Sequence, residues 1–172
     1  MFIRFVRSKF GLALVAAAAG LAPVLTAAPT FAQGMTLQGA WMVTTQQVNC
    51  ATQVPMGPPH RALVSFHAGG TLSDTSAVPA FLVGQRSEGH GTWNHDGGHK
   101  YISNWVAMIV FETAPNTPPG SPGFVPGWQI ATNAIELTGP DSFTSSGVSR
   151  FVNLAGVEYR TGCATRTGER FK

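Results

Sequence analysis

The spacing of turns constrains this chain more than any other feature. Beyond residue 38, stretches with apolar residues at alternate positions are separated by connections that are long and short in turn. Successive side chains of a strand point to opposite faces, so a period of two marks a half-buried strand. Eight such stretches can be laid out, at 37–48, 61–67, 71–75, 88–93, 100–112, 127–138, 142–153 and 157–167. Long connections follow the first, third and fifth, at 49–60, 76–87 and 113–126, the last with five prolines that cannot pair within a sheet. Tight, glycine-bearing turns follow the second, fourth and sixth, and the seventh connection is also short. In an up-and-down meander successive connections swap ends. One end would then be tight and the other fringed by long loops. The expected fold is all-β, an eight-stranded antiparallel up-and-down β-barrel, with a two-sheet sandwich as the alternative.

The first 32 residues are set apart from that fold. Arg4, Arg7 and Lys9 precede an apolar run from Phe10 to Leu25, and Thr30-Phe31-Ala32 offers a cleavage site before Gln33. The run is short for a bilayer span, which needs ~20 apolar residues, and Pro23 interrupts it. Residues 1–32 therefore read as a cleaved signal peptide and 33–172 as one exported domain, periplasmic or secreted, with no membrane span after cleavage. The leader holds three of the 11 basic residues and none of the eight acidic ones, so the remainder balances at eight against eight. A domain without a basic field is a poor partner for phosphates, and nucleic acid is not expected.

Cys50 and Cys163 are the only cysteines. In an oxidising compartment a disulfide is the natural expectation, with two buried thiols as the alternative. The five histidines fall at 60, 67, 90, 95 and 99, in turns and strand ends, and no metal site or cofactor is expected from them. Asp74 and His90 would make a general-base pair if the third and fourth strands were in register. No serine nucleophile motif, carboxylate pair or phosphate loop accompanies them, so no catalytic residue is assigned.

Gly39-Ala40-Trp41, opening the first strand, resembles the G-x-W motif of the lipocalins and the wider calycin group. The resemblance implies a calycin-like barrel. It also implies that Trp41 plugs the closed end beside an arginine from near the last strand, for which Arg166 is the candidate and Arg160 the spare. The stretch Glu88 to Trp93 is similar to that of small uncharacterised exported bacterial barrels.

A barrel of this size holds either packed side chains or one small ligand. Phe143, Ser145, Gly147, Ser149 and Phe151 share one face of the seventh strand, where small residues between aromatics would leave space in mid-lumen. Phe66, Trp93, Trp105, Ile109, Phe111, Trp128, Phe143, Phe151 and Tyr159 are the expected ligand-lining residues, and Phe81, Phe124 and Trp128 the expected aromatics of the mouth. The function expected is non-catalytic binding of a small apolar molecule in the lumen. The alternatives are an envelope interaction module that uses the proline-rich loops, such as a barrel-type protease inhibitor, and a cyclase- or isomerase-like enzyme.

Overall fold

The computed structural model describes residues 35–113 and 123–172. The leader and its cleavage site lie outside them, as does the middle of the proline-rich connection. Eight strands follow in chain order: β1 (Gly39–Val48), β2 (His60–Phe66), β3 (Thr71–Ser76), β4 (Gly89–His95), β5 (Lys100–Ile109), β6 (Gly127–Gly139), β7 (Ser142–Asn153) and β8 (Glu158–Arg170). Each pairs antiparallel with its neighbours in the chain, and β1 pairs with β8 from Trp41↔Arg170 to Val48↔Cys163. The sheet is a closed barrel, which decides against the sandwich and leaves no strand edge unpaired. No helix among the described residues is long and apolar enough to cross a membrane.

Alternation sets the inward face, and on β5, where both faces are largely apolar in sequence, the structure decides which one it is. Tyr101, Ser103, Trp105, Ala107 and Ile109 of β5 are buried, whereas Val106 and Met108 between them are exposed. Turns at the tight end close with positive-φ glycines, such as Gly69 and Gly70 between β2 and β3. The connections after β1, β3 and β5 all emerge at the opposite end.

Most strand ends fall within two residues of the sequence expectation, and the two that differ by three do so for reasons of pairing. β5 stops at Ile109 instead of 112, because the connection after β3 takes over its partners. There Val110 N–H donates to Gln85 O (2.7 Å), and the buried Gln85 amide donates to Phe111 O (3.0 Å). β8 runs on to Arg170, past 167, because β1 offers it a partner as far as Trp41.

That extension decides what covers Trp41. The guanidinium over the indole belongs to Arg170, 4.2 Å from the ring centroid, and not to Arg166. Arg170 also donates to Gln38 O (2.6 Å), Thr36 O (2.7 Å) and Pro140 O (2.9 Å). Any side chain at Gly39 would press on this guanidinium, only 2.6 Å from where a Cβ would sit. Gly39 and Trp41 are thus linked through one arginine. Trp41 itself donates to Leu37 O (2.8 Å) and meets the edge of Phe143 at 4.9 Å. Around it, Phe66, Leu72, Tyr101 and Leu137 complete a continuous apolar floor.

Candidate functional site

The lumen is divided into two unequal parts. Its lower and middle portion, bounded by Phe66, Leu72, Ser103, Asn133, Phe143 and Ser145, retains only about 10 Å³ of free space. The space expected opposite Gly147 is filled, because Asn133 from β6 lies across it and donates to Ser103 Oγ (3.2 Å). Above this layer, toward the long loops, lies a cavity of about 290 Å³. That is near the lower end of the ~300–1,000 Å³ typical of small-molecule sites.

Three mouth elements build the cavity wall. The first is the loop after β1, folded back on itself. Asn49 Oδ1 accepts from Ala51 N (2.9 Å) and Thr52 N (3.0 Å), Met56 N–H donates to Gln47 O (2.8 Å), and Pro55 bridges to Val48. A disulfide between Cys50 and Cys163, with Cα atoms 5.2 Å apart, ties this loop to β8. The second is the loop after β3, riveted to β5 by Gln85, which leaves the next residue, Arg86, directed into the lumen. The third is the segment after β5. Its Phe124 packs on Phe81 (4.5 Å) and Phe151 (5.3 Å), and its Val125 N–H is held by the Tyr159 hydroxyl (3.2 Å).

A polar layer forms the cavity bottom. Asp74 on β3 has no solvent exposure and accepts from two guanidiniums, Arg86 (3.0 Å) and Arg166 (3.3 Å). Both guanidiniums lie over the Trp105 ring, at 5.1 and 5.6 Å. Arg86 donates further to Gln129 Oε1 (2.6 Å). Gly89 permits this assembly, since a Cβ there would crowd Trp105, Asp74 and Arg86. His60 is buried nearby. Burial first, then Arg166, lowers its pKa from the usual 6.5 against the opposing pull of Asp74, so the imidazole is neutral at pH 7. At the rim Arg160 lies over Phe124 (4.6 Å) and Phe151 (5.5 Å), and burial lowers its pKa as well.

The charges do not cancel. Three guanidiniums line the cavity, and the one carboxylate that meets them is Asp74, which leaves a net of two positive charges. Among the described residues, the buried side-chain polar atoms without a partner are Thr45 Oγ1, Trp105 Nε1, Arg160 Nη1 and Arg166 Nε. All four residues line this cavity. An unpaired buried donor costs about 1–3 kcal/mol, so their concentration in one place marks a site and not random imperfection.

No protein-family model matches the sequence, and no curated protein is similar to it. The geometry stands alone.

Of the nine residues expected to line a ligand, Trp105 and Phe151 do line the cavity. Ile109 backs the mouth cluster behind Phe124 and Phe151. Phe66 and Phe143 belong to the floor, and Trp93 packs against that floor with its indole donating to His67 O (3.1 Å). Phe111, Trp128 and Tyr159 are 37, 42 and 36% exposed. Trp128 points outward because Gly127 and Gln129 take the inward positions of β6. Of the expected mouth aromatics, Phe81 and Phe124 are at the cavity.

The pairing of Asp74 with His90 does not occur. His90 faces outward opposite Ser73, while Asp74 faces inward. Glu136 and Arg150 are likewise on the outer face. Among the described residues no three His, Cys, Asp or Glu side chains converge as a metal site would require. Sequence reasoning missed Arg86, Gln129 and the inward role of His60. Arg86 enters from the loop after β3, which leaves no periodic trace, whereas Gln129 and His60 occupy inward positions of β6 and β2 that alternation could have marked.

Proposed function

We propose that this protein is an exported, non-catalytic binding protein that holds one small, largely apolar molecule in the mouth half of its barrel. The observation that carries the reading is the division of the lumen, solid below and hollow above. The hollow part is lined on the mouth side by Phe81 and Phe124. A ligand there would meet apolar surface from Val48, Phe81, Trp105, Phe124 and Phe151 beside a nearly equal share of polar groups. The resemblance of Gly39-Ala40-Trp41 to the calycin motif supports a container of this kind. The basic and apolar leader, together with the disulfide, supports a periplasmic or secreted location. Asp74 argues against the enzyme alternative, because it is fully buried and both its oxygens are engaged by guanidiniums.

One observation favours an interaction surface as well. Val106, Met108, Trp128 and Val148 are exposed on the outer wall of β5, β6 and β7, and Met108 faces Trp128 in register.

Thermal melting against a panel of fatty acids, quinones and aromatic compounds tests the binding reading. A ligand at 100 times its Kd should add about 2.7 kcal/mol of stability. A panel in which no member raises Tm contradicts it.

A further inference from the structure

We propose that the molecule held in this cavity is an organic anion, a carboxylate on a flat apolar body, with its head at the cavity bottom against Thr45, Trp105 and Arg166. The inference rests on the binding reading and narrows it to a chemical class.

Three residues at the bottom of the cavity carry buried polar atoms without partners. Thr45 and Arg166 are cross-strand partners in the β1–β8 ladder, and Arg166 lies over Trp105. Thr45 Oγ1, Arg166 Nε and Trp105 Nε1 are buried without a partner among the described residues, and the three side chains line one cavity. An indole N–H and a guanidinium N–H can only donate, so whatever meets them must accept. Water can accept too, but it does not balance charge. The buried carboxylate of Asp74 neutralises one of the two guanidiniums it touches, which leaves one positive charge at the bottom of a half-buried cavity. A carboxylate supplies that charge and several acceptor positions at once.

Arg160 marks the other end. It lies six residues before Arg166 on the same face of β8, roughly 20 Å along the strand at ~3.3 Å per residue. The inward positions between them are Gly162 and Ala164, which leave the wall low where a ligand body would lie. Phe81, Phe124 and Phe151 face that stretch. The layout is an anionic head below, a flat apolar body in the middle and a second acceptor meeting Arg160 at the rim.

The full mature protein is titrated calorimetrically with matched acids and amides: 2-naphthoate with 2-naphthamide, indole-3-acetate with indole-3-acetamide, decanoate with decanamide. At least one acid should bind tenfold or more tightly than its amide. Thr45→Val keeps the side-chain shape and deletes the unpaired hydroxyl, so it should weaken the acid several-fold, spare the amide and melt no lower than wild type. Arg150→Met on the outer wall should change neither. Amides binding as tightly as acids would overturn the anionic head and leave the binding reading intact. Unchanged acid affinity in Thr45→Val would overturn its placement. Failure of every acid and every amide to bind would remove the binding reading itself.

Discussion

The two ends of this barrel solve the same packing problem in opposite ways. At the tight end Trp41, Phe66, Phe143 and Tyr101 interlock, every indole and hydroxyl donor finds a backbone carbonyl, and Arg170 covers the outside with four donated hydrogen bonds. At the loop end the inward residues are arginines, small side chains and a few aromatics, with donors unpaired around an open volume. The floor is packed and satisfied, and on the binding reading proposed above the mouth gives up stability to keep specific groups available, a trade familiar from binding sites. The difference teaches where mutations should be felt as unfolding and where as lost binding.

The largest effect should come from the floor. Trp41→Ala empties the plug and strands Arg170, and urea denaturation should record a loss of about 4–5 kcal/mol. At temperatures where the variant remains folded, its ligand affinity should match wild type. A loss of affinity without a loss of stability would break the comparison.

Next comes Asp74→Asn, at the boundary between the two regions. It leaves two buried guanidiniums without their counter-charge and should destabilise by about 3–4 kcal/mol in the same experiment. An added carboxylate ligand should recover part of that loss, because it replaces the missing negative charge. Recovery by a neutral ligand to the same extent would contradict the electrostatic account.

The disulfide sharpens the contrast, since it belongs to the mouth yet constrains the whole chain across 113 residues. The double variant Cys50→Ser, Cys163→Ser should lose about 2–3 kcal/mol, less than the chain-entropy limit for so long a loop. It should also bind more weakly, because the loop after β1 is a wall of the cavity.

The smallest effect is a pH slope from His60. Its folded pKa lies below the usual 6.5, so between those values the unfolded chain holds the extra proton and stability rises with pH. Acidification from pH 7 should therefore weaken the protein as the imidazole is forced to charge beside Arg166 and Arg86. His60→Gln should flatten that part of the stability profile, and an unchanged profile would show that the group is not buried as described.

How far the sequence reaches follows the same division. The strand count and the closure were legible, because alternation and turn spacing are properties of local sequence, and the Cys50–Cys163 bond followed from the cysteine count. Which face of β5 turns inward was not, since both of its faces are largely apolar. The arginine over Trp41 was not. Which arginine arrives there depends on how far β8 runs alongside β1, and that is a pairing property. The filled middle of the lumen was hidden for a similar reason, as Asn133 reaches across from β6 to occupy the gap at Gly147. Trp128 looked inward because an aromatic on a strand with two apolar faces carries no direction. The cationic cavity was least legible of all. Arg86 enters from a loop, and Arg166 and Arg160, on a strand whose alternation is weak, were matched to Trp41 through the calycin resemblance and not to a cavity.

The four tryptophans give the most direct test, since their indole N–H groups report on separate regions. Trp41 and Trp93 donate to the carbonyls of Leu37 and His67, Trp128 faces outward, and Trp105 alone stands unpaired at the cavity bottom. In a nuclear magnetic resonance titration with the acid that binds best, the Trp105 indole proton should move downfield as it gains an acceptor, while those of Trp41 and Trp93 stay in place. A titration that shifts Trp41 or Trp93 and leaves Trp105 unmoved would contradict a hollow mouth above a solid floor.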